Sequence, residues 1–268
     1  MRSFQRAAEP LSFVPMCTFV ILRRPGHDWP VIVASNRDEM LDRPWNAPAR
    51  HWKDRAEVIA GQDQLAGGTW LGMNDHGVVA AILNRRGSLG PQEGFRSRGE
   101  LPLEALDHVD AAAAAEALAE INPEAYRPFN MVVADNKDAF WIKLSETHWG
   151  VHAQVSPIPE GLSMVTASDR NDTSSARIRS YLPQFERAPV PDPESGDWSG
   201  WTNLLTARIY DSVEGPKGAM LIVSDSGFGT VSSSLIALPA IENQGVMPKY
   251  LFAGGRPDEV GYQPVSLS

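Results

Sequence analysis

The only cysteine of the chain, Cys17, follows a methionine that is not the first residue, and the polar cluster Asn36-Arg37-Asp38-Glu39 comes a short stretch later. A thiol attacks as thiolate, and free cysteine ionises near pH ~8.5, so a reactive cysteine needs a nearby base or positive charge. Histidine is the usual base. None of the six (His27, His51, His76, His108, His148, His152) stands in a Cys/His protease context, and His27, His51 and His76 fall in polar turns that read as surface. Another base is at hand. If Met16 is the true start, its removal, which is general before small residues, leaves Cys17 with a free α-amino group. Such an amine has a pKa of about 7.7–8.0 and lies within one residue of its own thiol. While any residue precedes Cys17, that nitrogen is a non-basic amide and the mechanism is off.

The residues around this pair fit acyl transfer. The stretch reads as a hairpin with strands at 17–22 and 31–36 and a loop at 23–30 rich in breakers. Pairing Leu22 with Val31 places Cys17 opposite Asn36, with Arg37, Asp38 and Glu39 just beyond. Asp38 could then hold the α-ammonium group, Asn84 could donate an amide N–H to an oxyanion, and Arg37 could pair with a carboxylate of a neighbour or a ligand. Each has a plainer alternative. Cys17 could be a small buried hydrophobe at a strand start, residues 36–39 a polar turn, and Asn84 a turn cap.

Elements that must position these groups follow from the pattern of apolar residues. Residues 69–73 and 78–83 flank Asn74-Asp75-His76-Gly77 as a second hairpin, and the latter strand is apolar on both faces, hence buried on both. A third hairpin joins 129–134 to 139–144, and short strands are expected near 148–153, 162–167, 220–223, 234–238 and 250–253. Helices are expected over 101–121, from about 174 to 185, and over 198–213. Residues 40–54 read as an irregular loop, 55–68 as polar, 88–100 as loop and 189–197 as a linker loop. Gly67-Gly68 would let backbone approach the site closely, while Arg85, Arg86, Arg96 and Arg98 read as a solvated rim. Strands arriving mainly as hairpins, with helices in blocks, make the class α+β with largely antiparallel sheets covered on both faces.

Composition bounds the rest. At 268 residues and 43% apolar content the chain can fill a full core. A formal net charge of −9 with no long basic cluster argues against a nucleic-acid partner. One cysteine forms no internal disulfide, and no apolar run approaches the ~20 residues that span a bilayer, so a cytoplasmic protein without a membrane span is expected. Residues 1–15 show no clear period and no signal-peptide core, and are expected to lie outside the fold, as a mis-assigned start or a removable segment. Residues 16–268 are expected to form a single domain. No cofactor or metal motif stands out, and Cys-x-x-Cys-His is absent.

Met16-Cys17-Thr18, Asn36-Arg37-Asp38-Glu39, Gly67-Gly68-Thr69-Trp70-Leu71-Gly72, Asn84, Ser97-Arg98-Gly99-Glu100-Leu101 and Phe129-Asn130 occur in order, with a weaker echo at Gly227-Phe228-Gly229-Thr230. Together they resemble the NRDE family, to which transport and Golgi organization protein 2 belongs. The resemblance implies an N-terminal-nucleophile hydrolase fold, a four-layer αββα sandwich. Gly72 to Gly77 through Leu83-Asn84 is also similar to a hairpin of bile salt hydrolases and penicillin V acylases, amide-cleaving enzymes with an N-terminal cysteine, and implies that Asn84 stands for their catalytic asparagine. Cys17, Asp38, Arg37 and Asn84 are then the catalytic set, with Asn36, Glu39, Trp70, Asn130, Asp169 and Asn171 facing the ligand.

This chain departs from those relatives in three places. Arg37 and Asp38 are adjacent where the acylases separate them, so both reach one site only through a turn. Ser168-Asp169 stands for Ser-Asn, with Asn171 two residues on, and Val231 for an arginine after Gly-Thr. Asn130 could equally be a strand-edge residue, and Asp169 and Asn171 helix caps. Two functions follow from the resemblance: a cysteine hydrolase of non-peptide amides or related acyl bonds, or a non-catalytic carrier of haem or an acyl-lipid ligand. The missing arginine at position 231 favours the carrier.

Overall fold

A computed structural model describes residues 17–268 apart from 89, 148, 149, 211 and 214. The segment 1–15, Met16 and His148 lie outside the described residues. The chain runs β1 (Thr18–Arg23), β2 (Val31–Met40), β3 (Trp45–Ala49), β4 (Val58–Asp63), β5 (Leu71–Asn74), β6 (Val79–Asn84), α1 (Glu100–Ala105) and α2 (Ala111–Ala119). It continues through β7 (Phe129–Ala134), β8 (Ala139–Thr147), β9 (Gly150–Pro157), β10 (Gly161–Val165), α3 (Ala176–Arg187), α4 (Ser199–Leu205), β11 (Phe228–Leu238), β12 (Lys249–Ala253) and β13 (Gln263–Pro264).

Two wholly antiparallel sheets result, ordered β10-β1-β2-β11-β12-β13 and β3-β4-β5-β6-β7-β8-β9. Strand alternation sorts their side chains into three cores. Phe19, Ile21, Val33 and Ile236 of the first sheet meet Ile59, Leu71, Val79 and Val132 of the second between the sheets. Ala80, Met131 and Ile142, on the outer face of the second sheet, pack under Leu101, Leu103 and Ala114 of α1 and α2. Val20, Ile32 and Leu235, on the outer face of the first, pack under Ile178, Tyr181 and Trp201 of α3 and α4. The layers are therefore helix, sheet, sheet, helix, as expected. Each large apolar side chain fully buried in them contributes about 1.5–3 kcal/mol.

Several local expectations are corrected. The helix foreseen over 101–121 is two helices. Asp110 caps α2 by accepting from the Ala113 N–H at 2.8 Å, and the Asn74 amide takes the Leu106 and His108 carbonyls at 2.9 and 2.7 Å, which ends α1. The helix foreseen over 198–213 covers Ser199–Leu205 alone, and residues 220–223 form no strand. The supposed loop at 40–54 contains β3, the edge strand of the second sheet, and the polar stretch at 55–68 contains β4, which joins it to β5.

The register of the first hairpin matters most. Leu22 pairs with Ile32 and Thr18 with Asn36, so Cys17 falls opposite Arg37, one place from the position expected. A slip of one residue exchanges the two faces of a strand. Cys17 therefore shares the inner face with Arg37 and Glu39, while Asn36 and Asp38 point to the outer, helix-covered face. Arg37 and Asp38 need no turn, since β2 runs straight through both.

Candidate active site

The thiol sits at the mouth of the first hairpin, just before β1. Its sulfur donates to the Asp38 carbonyl at 3.5 Å and accepts from the Asp38 N–H at 3.4 Å. The residue is only half-buried, but desolvation of its sulfur, and then the Asp38 carboxylate, push the Cys17 thiol up to about 12, against the opposing Asp38 N–H and Arg37 charge. A thiol in that environment stays protonated at neutral pH unless a base is placed on it.

Arg37 is the charge beside it. The guanidinium is 5% exposed and stacks 4.0 Å from the centroid of the Trp70 ring. Asp63 and Glu39 lie 3.6 and 4.0 Å from its Nη2, and Arg43 bridges the same carboxylates at 2.6 and 3.7 Å. Burial pulls the Arg37 pKa down, while Glu39, Cys17 and Asp63 hold it up. Trp70 is itself wedged. A Cβ on Gly61 would meet its ring at 2.4 Å, so only glycine leaves room, and the ring of Trp45 stands edge-on at 5.9 Å. Of the two glycines expected to allow close backbone approach to the site, Gly68 packs on the 97–100 turn instead, its Cβ position lying 2.4 Å from the Gly99 carbonyl carbon, and Gly67 has nothing within 4 Å of an added Cβ. Thr69 N–H to Gly99 O, at 2.8 Å, then ties the 97–100 turn to the strand carrying Trp70.

That turn delivers Arg98, expected on a solvated rim but half-buried here. It donates to Ser88 Oγ at 2.8 Å and the Pro128 carbonyl at 3.0 Å. Burial and then Arg127 pull its pKa down to about 10, with Glu39 and Cys17 opposing. Arg37 is thus the guanidinium that bears on the thiol, while Arg98 is tied to Ser88 and the Pro128 carbonyl.

On the other face of β2 the Asp38 carboxylate is buried and fully engaged. Arg177 Nη1 donates to its Oδ2 at 2.9 Å and Thr230 Oγ1 to its Oδ1 at 2.6 Å, while Arg177 also donates to Thr18 Oγ1 at 2.7 Å. Burial raises the Asp38 pKa, and Arg177 and Thr230 pull it back. Sequence reasoning missed Arg177. Its position in phase with Tyr181 and Phe185, on the buried stripe of α3, was the available signal.

The remaining residues separate. Asn36 is on the outer face, where its amide donates to the Leu205 and Met220 carbonyls at 2.9 and 3.0 Å and anchors the end of α4. Asn84 pairs with Phe129, and alternation puts it on the outer face with Ala80 and Ile82, away from the thiol. Asn130 faces inward but is occupied. Its amide donates to the Thr166 and Ser168 carbonyls at 2.8 and 2.7 Å, and its oxygen accepts from Arg85 and Trp141 at 2.7 and 3.2 Å. Asp169 joins Arg85 and Lys143 at 2.6 and 2.9 Å, beside a polar surface hollow lined also by Arg86, Ser168 and Asp172. That hollow opens where β10 leaves the sheet, at the end where β1 begins. Asn171 takes a left-handed φ of 57° and clamps the β10 edge, its side chain accepting from Met164 N–H at 2.7 Å. Cys17, Arg37, Glu39 and Trp70 are therefore together, with only the backbone of Asp38. Among the described residues, no three His, Cys, Asp or Glu side chains converge to hold a metal ion, and no helix is long and apolar enough to cross a membrane.

Comparison with known proteins agrees with this architecture. The sequence profile of the family described as Transport and Golgi organisation 2 matches residues 16–187. The Transport and Golgi organization protein 2 homolog of Bos taurus is 36% identical over 113 residues, covering 39% of this chain and 38% of that protein; the Homo sapiens homolog is 35% identical over 111 residues, with the same coverage. The match thus spans under two fifths of these relatives' length. Among solved structures, the Caenorhabditis elegans N-acylethanolamine-hydrolyzing acid amidase ortholog superposes with a TM-score of 0.54 at 14% identity, covering 82% of this chain and 92% of its own. A mutant of conjugated bile acid hydrolase from Clostridium perfringens superposes with a TM-score of 0.53 at 14% identity, covering 94% of each chain. At such identity the likeness shows the fold alone, the N-terminal-nucleophile hydrolase fold.

Proposed function

Since the chain belongs to the Transport and Golgi organisation 2 family and carries a hydrolase-type αββα fold, we propose that it is an N-terminal-cysteine hydrolase of a non-peptide amide or related acyl bond. The observation that carries this reading is the Cys17 thiol just before β1, against the Asp38 N–H and beside the Arg37 guanidinium. The segment before Cys17 is removed, and the remainder acts as one domain. The freed α-amine takes the thiol proton, and the thiolate attacks the acyl carbonyl. Collapse of the tetrahedral intermediate breaks the C–N bond, the departing amine takes the proton back from the α-ammonium, and an acyl-thioester remains on Cys17. Water then releases the acid and restores the thiol. Arg37 and the Asp38 N–H favour the thiolate, and Trp70 and Glu39 wall the substrate's approach.

Intact mass and N-terminal sequencing of protein purified from cells test the premise, and a panel of amide and thioester substrates tests the chemistry with Cys17→Ala as control. A stably retained segment ahead of Cys17, or turnover indifferent to the substitution, sinks the reading.

A carrier of haem or an acyl-lipid ligand is the second reading, favoured by Val231 at the bulge of β11 in place of an arginine. Spectroscopic titration with haem, indifferent to Cys17→Ala and without turnover of any acyl substrate, would select it.

A further inference from the structure

Taking Cys17 as the nucleophile, we propose that Arg37 and Ser232 supply the donor pair for the oxyanion, a role the sequence had given to Asn84. Among the described residues, Arg37 Nη1 and Ser232 Oγ are buried polar atoms without a hydrogen-bond partner, on side chains 5% and 1% exposed. An unsatisfied buried donor loses its hydration without recompense, and native proteins keep few of them. Two of them belong to neighbouring residues on one face, because Ser232 is the cross-strand partner of Arg37.

The β-bulge at Val231 produces this arrangement. Without it, Thr230 and Ser232, two residues apart, would point to the same face. The register shift between them sends Thr230 outward to Asp38 and leaves Ser232 inward opposite Arg37. Ser232 thus shares the face of Ile236 and Leu238, which lie in the core between the sheets. Cys17, Arg37 and Ser232 then form a row across three neighbouring strand positions on the inner face. Asn84 lies on the other face of its sheet and Asn130 is fully bonded, so neither competes. A guanidinium N–H and a hydroxyl, both desolvated and uncommitted, suit an oxygen that gains charge as the thiolate adds to a carbonyl.

An acyl aldehyde tests this on the cell-purified protein. Its carbonyl carbon takes the Cys17 sulfur and its oxygen takes the thiol proton, giving a hemithioacetal whose oxygen sits where the oxyanion would. With a 13C-labelled aldehyde, NMR reads the adduct at its tetrahedral shift. Ser232→Ala is expected to weaken the adduct about tenfold without lowering Tm, because the lost hydroxyl had no partner. Arg37→Lys, which keeps the charge but loses the second nitrogen, is expected to weaken it as well. Adduct affinity unchanged in Ser232→Ala, or no adduct in the wild type, overturns the proposal. Turnover of amides and thioesters is measured beside it. An adduct weakened by Ser232→Ala in a protein that turns over nothing sinks the hydrolase reading alone. Turnover that ignores Ser232→Ala sinks the donor pair alone.

Discussion

Arg177 Nη1 lies 2.9 Å from Asp38 Oδ2, and neither side chain reaches solvent. The pair sits on the face of β2 turned away from Cys17, yet it fixes the strand segment whose backbone cradles the thiol. Taking each ion out of water costs several kcal/mol, which only good geometry offsets. Thr230 and Thr18 supply that geometry by occupying further positions on both partners.

Arg177→Met should therefore destabilise the protein by about 3–5 kcal/mol, by leaving a buried carboxylate uncompensated. Asp38→Asn in the same chain should return much of that loss, measured as a double-mutant cycle in urea. Burial already raises the Asp38 pKa, and losing Arg177 removes the main opposing charge. With the native pKa above the unfolded one, the single variant should gain stability as pH falls and the carboxyl protonates. Additive losses in the cycle would show that the two charges do not depend on each other.

The layers and most strands were legible because β5–β8 are short apolar runs separated by turn signals. The register of β1 and β2 was not, because Val20, Ile21, Ile32 and Val33 are apolar on both faces and pattern alone cannot choose between two slips. One residue of slip decided which of Arg37 and Asp38 faces the thiol. Ser232 was invisible for a related reason, since a bulge at Val231 leaves no mark in composition. Arg98 read as surface because a charged residue in a glycine-rich loop usually is; its burial depends on the Gly68–Gly99 contact, which joins residues far apart in sequence. The break in α1–α2 turned on Asn74, also distant in the chain.

Neighbouring glycines separate two kinds of cost. Gly67 has φ +73° with nothing within 4 Å of an added Cβ, so Gly67→Ala should cost about 1 kcal/mol of left-handed strain. Gly68→Ala places its Cβ 2.5 Å from the Gly99 oxygen, a backbone atom that cannot rotate away, and should cost about 1–3 kcal/mol of overpacking. It should also displace the turn carrying Arg98. Chemical denaturation of both variants checks the order, and a larger loss at Gly67 would contradict it.

Gly61→Ala should act through Trp70. The added methyl would lie 2.4 Å from Cη2 and Cζ2 of the indole, which must then leave the Arg37 guanidinium. A loss of about 1–3 kcal/mol is expected. Trp70→Phe, smaller at that edge, should be harmful in the wild type and less so beside Gly61→Ala. With eight tryptophans in the chain, the fluorescence lost on Trp70→Phe in each background isolates this ring; equal effects of Trp70→Phe on stability in both backgrounds would mean the ring never rested on Gly61.

Alkylation of Cys17 reports its environment and the state of its nitrogen together. The thiol is held near 12, well above the ordinary value of about 8.5. The native state therefore keeps its proton while the unfolded chain ionises, so stability contributed by this group is lost as pH rises through that window. Cys17→Ala should remove that alkaline slope. In protein with residues still ahead of Cys17, iodoacetamide should react slowly at pH 8, still be accelerating at pH 10, and react at once in guanidinium. In protein beginning at Cys17, the α-amine should take the proton instead, and the rate should level off near its pKa of about 8. Mass spectrometry assigns each profile to its N-terminus. A plateau near pH 8.5 in the longer form would show that the sulfur is solvated, and neither burial nor the Asp38 charge would then be holding it silent.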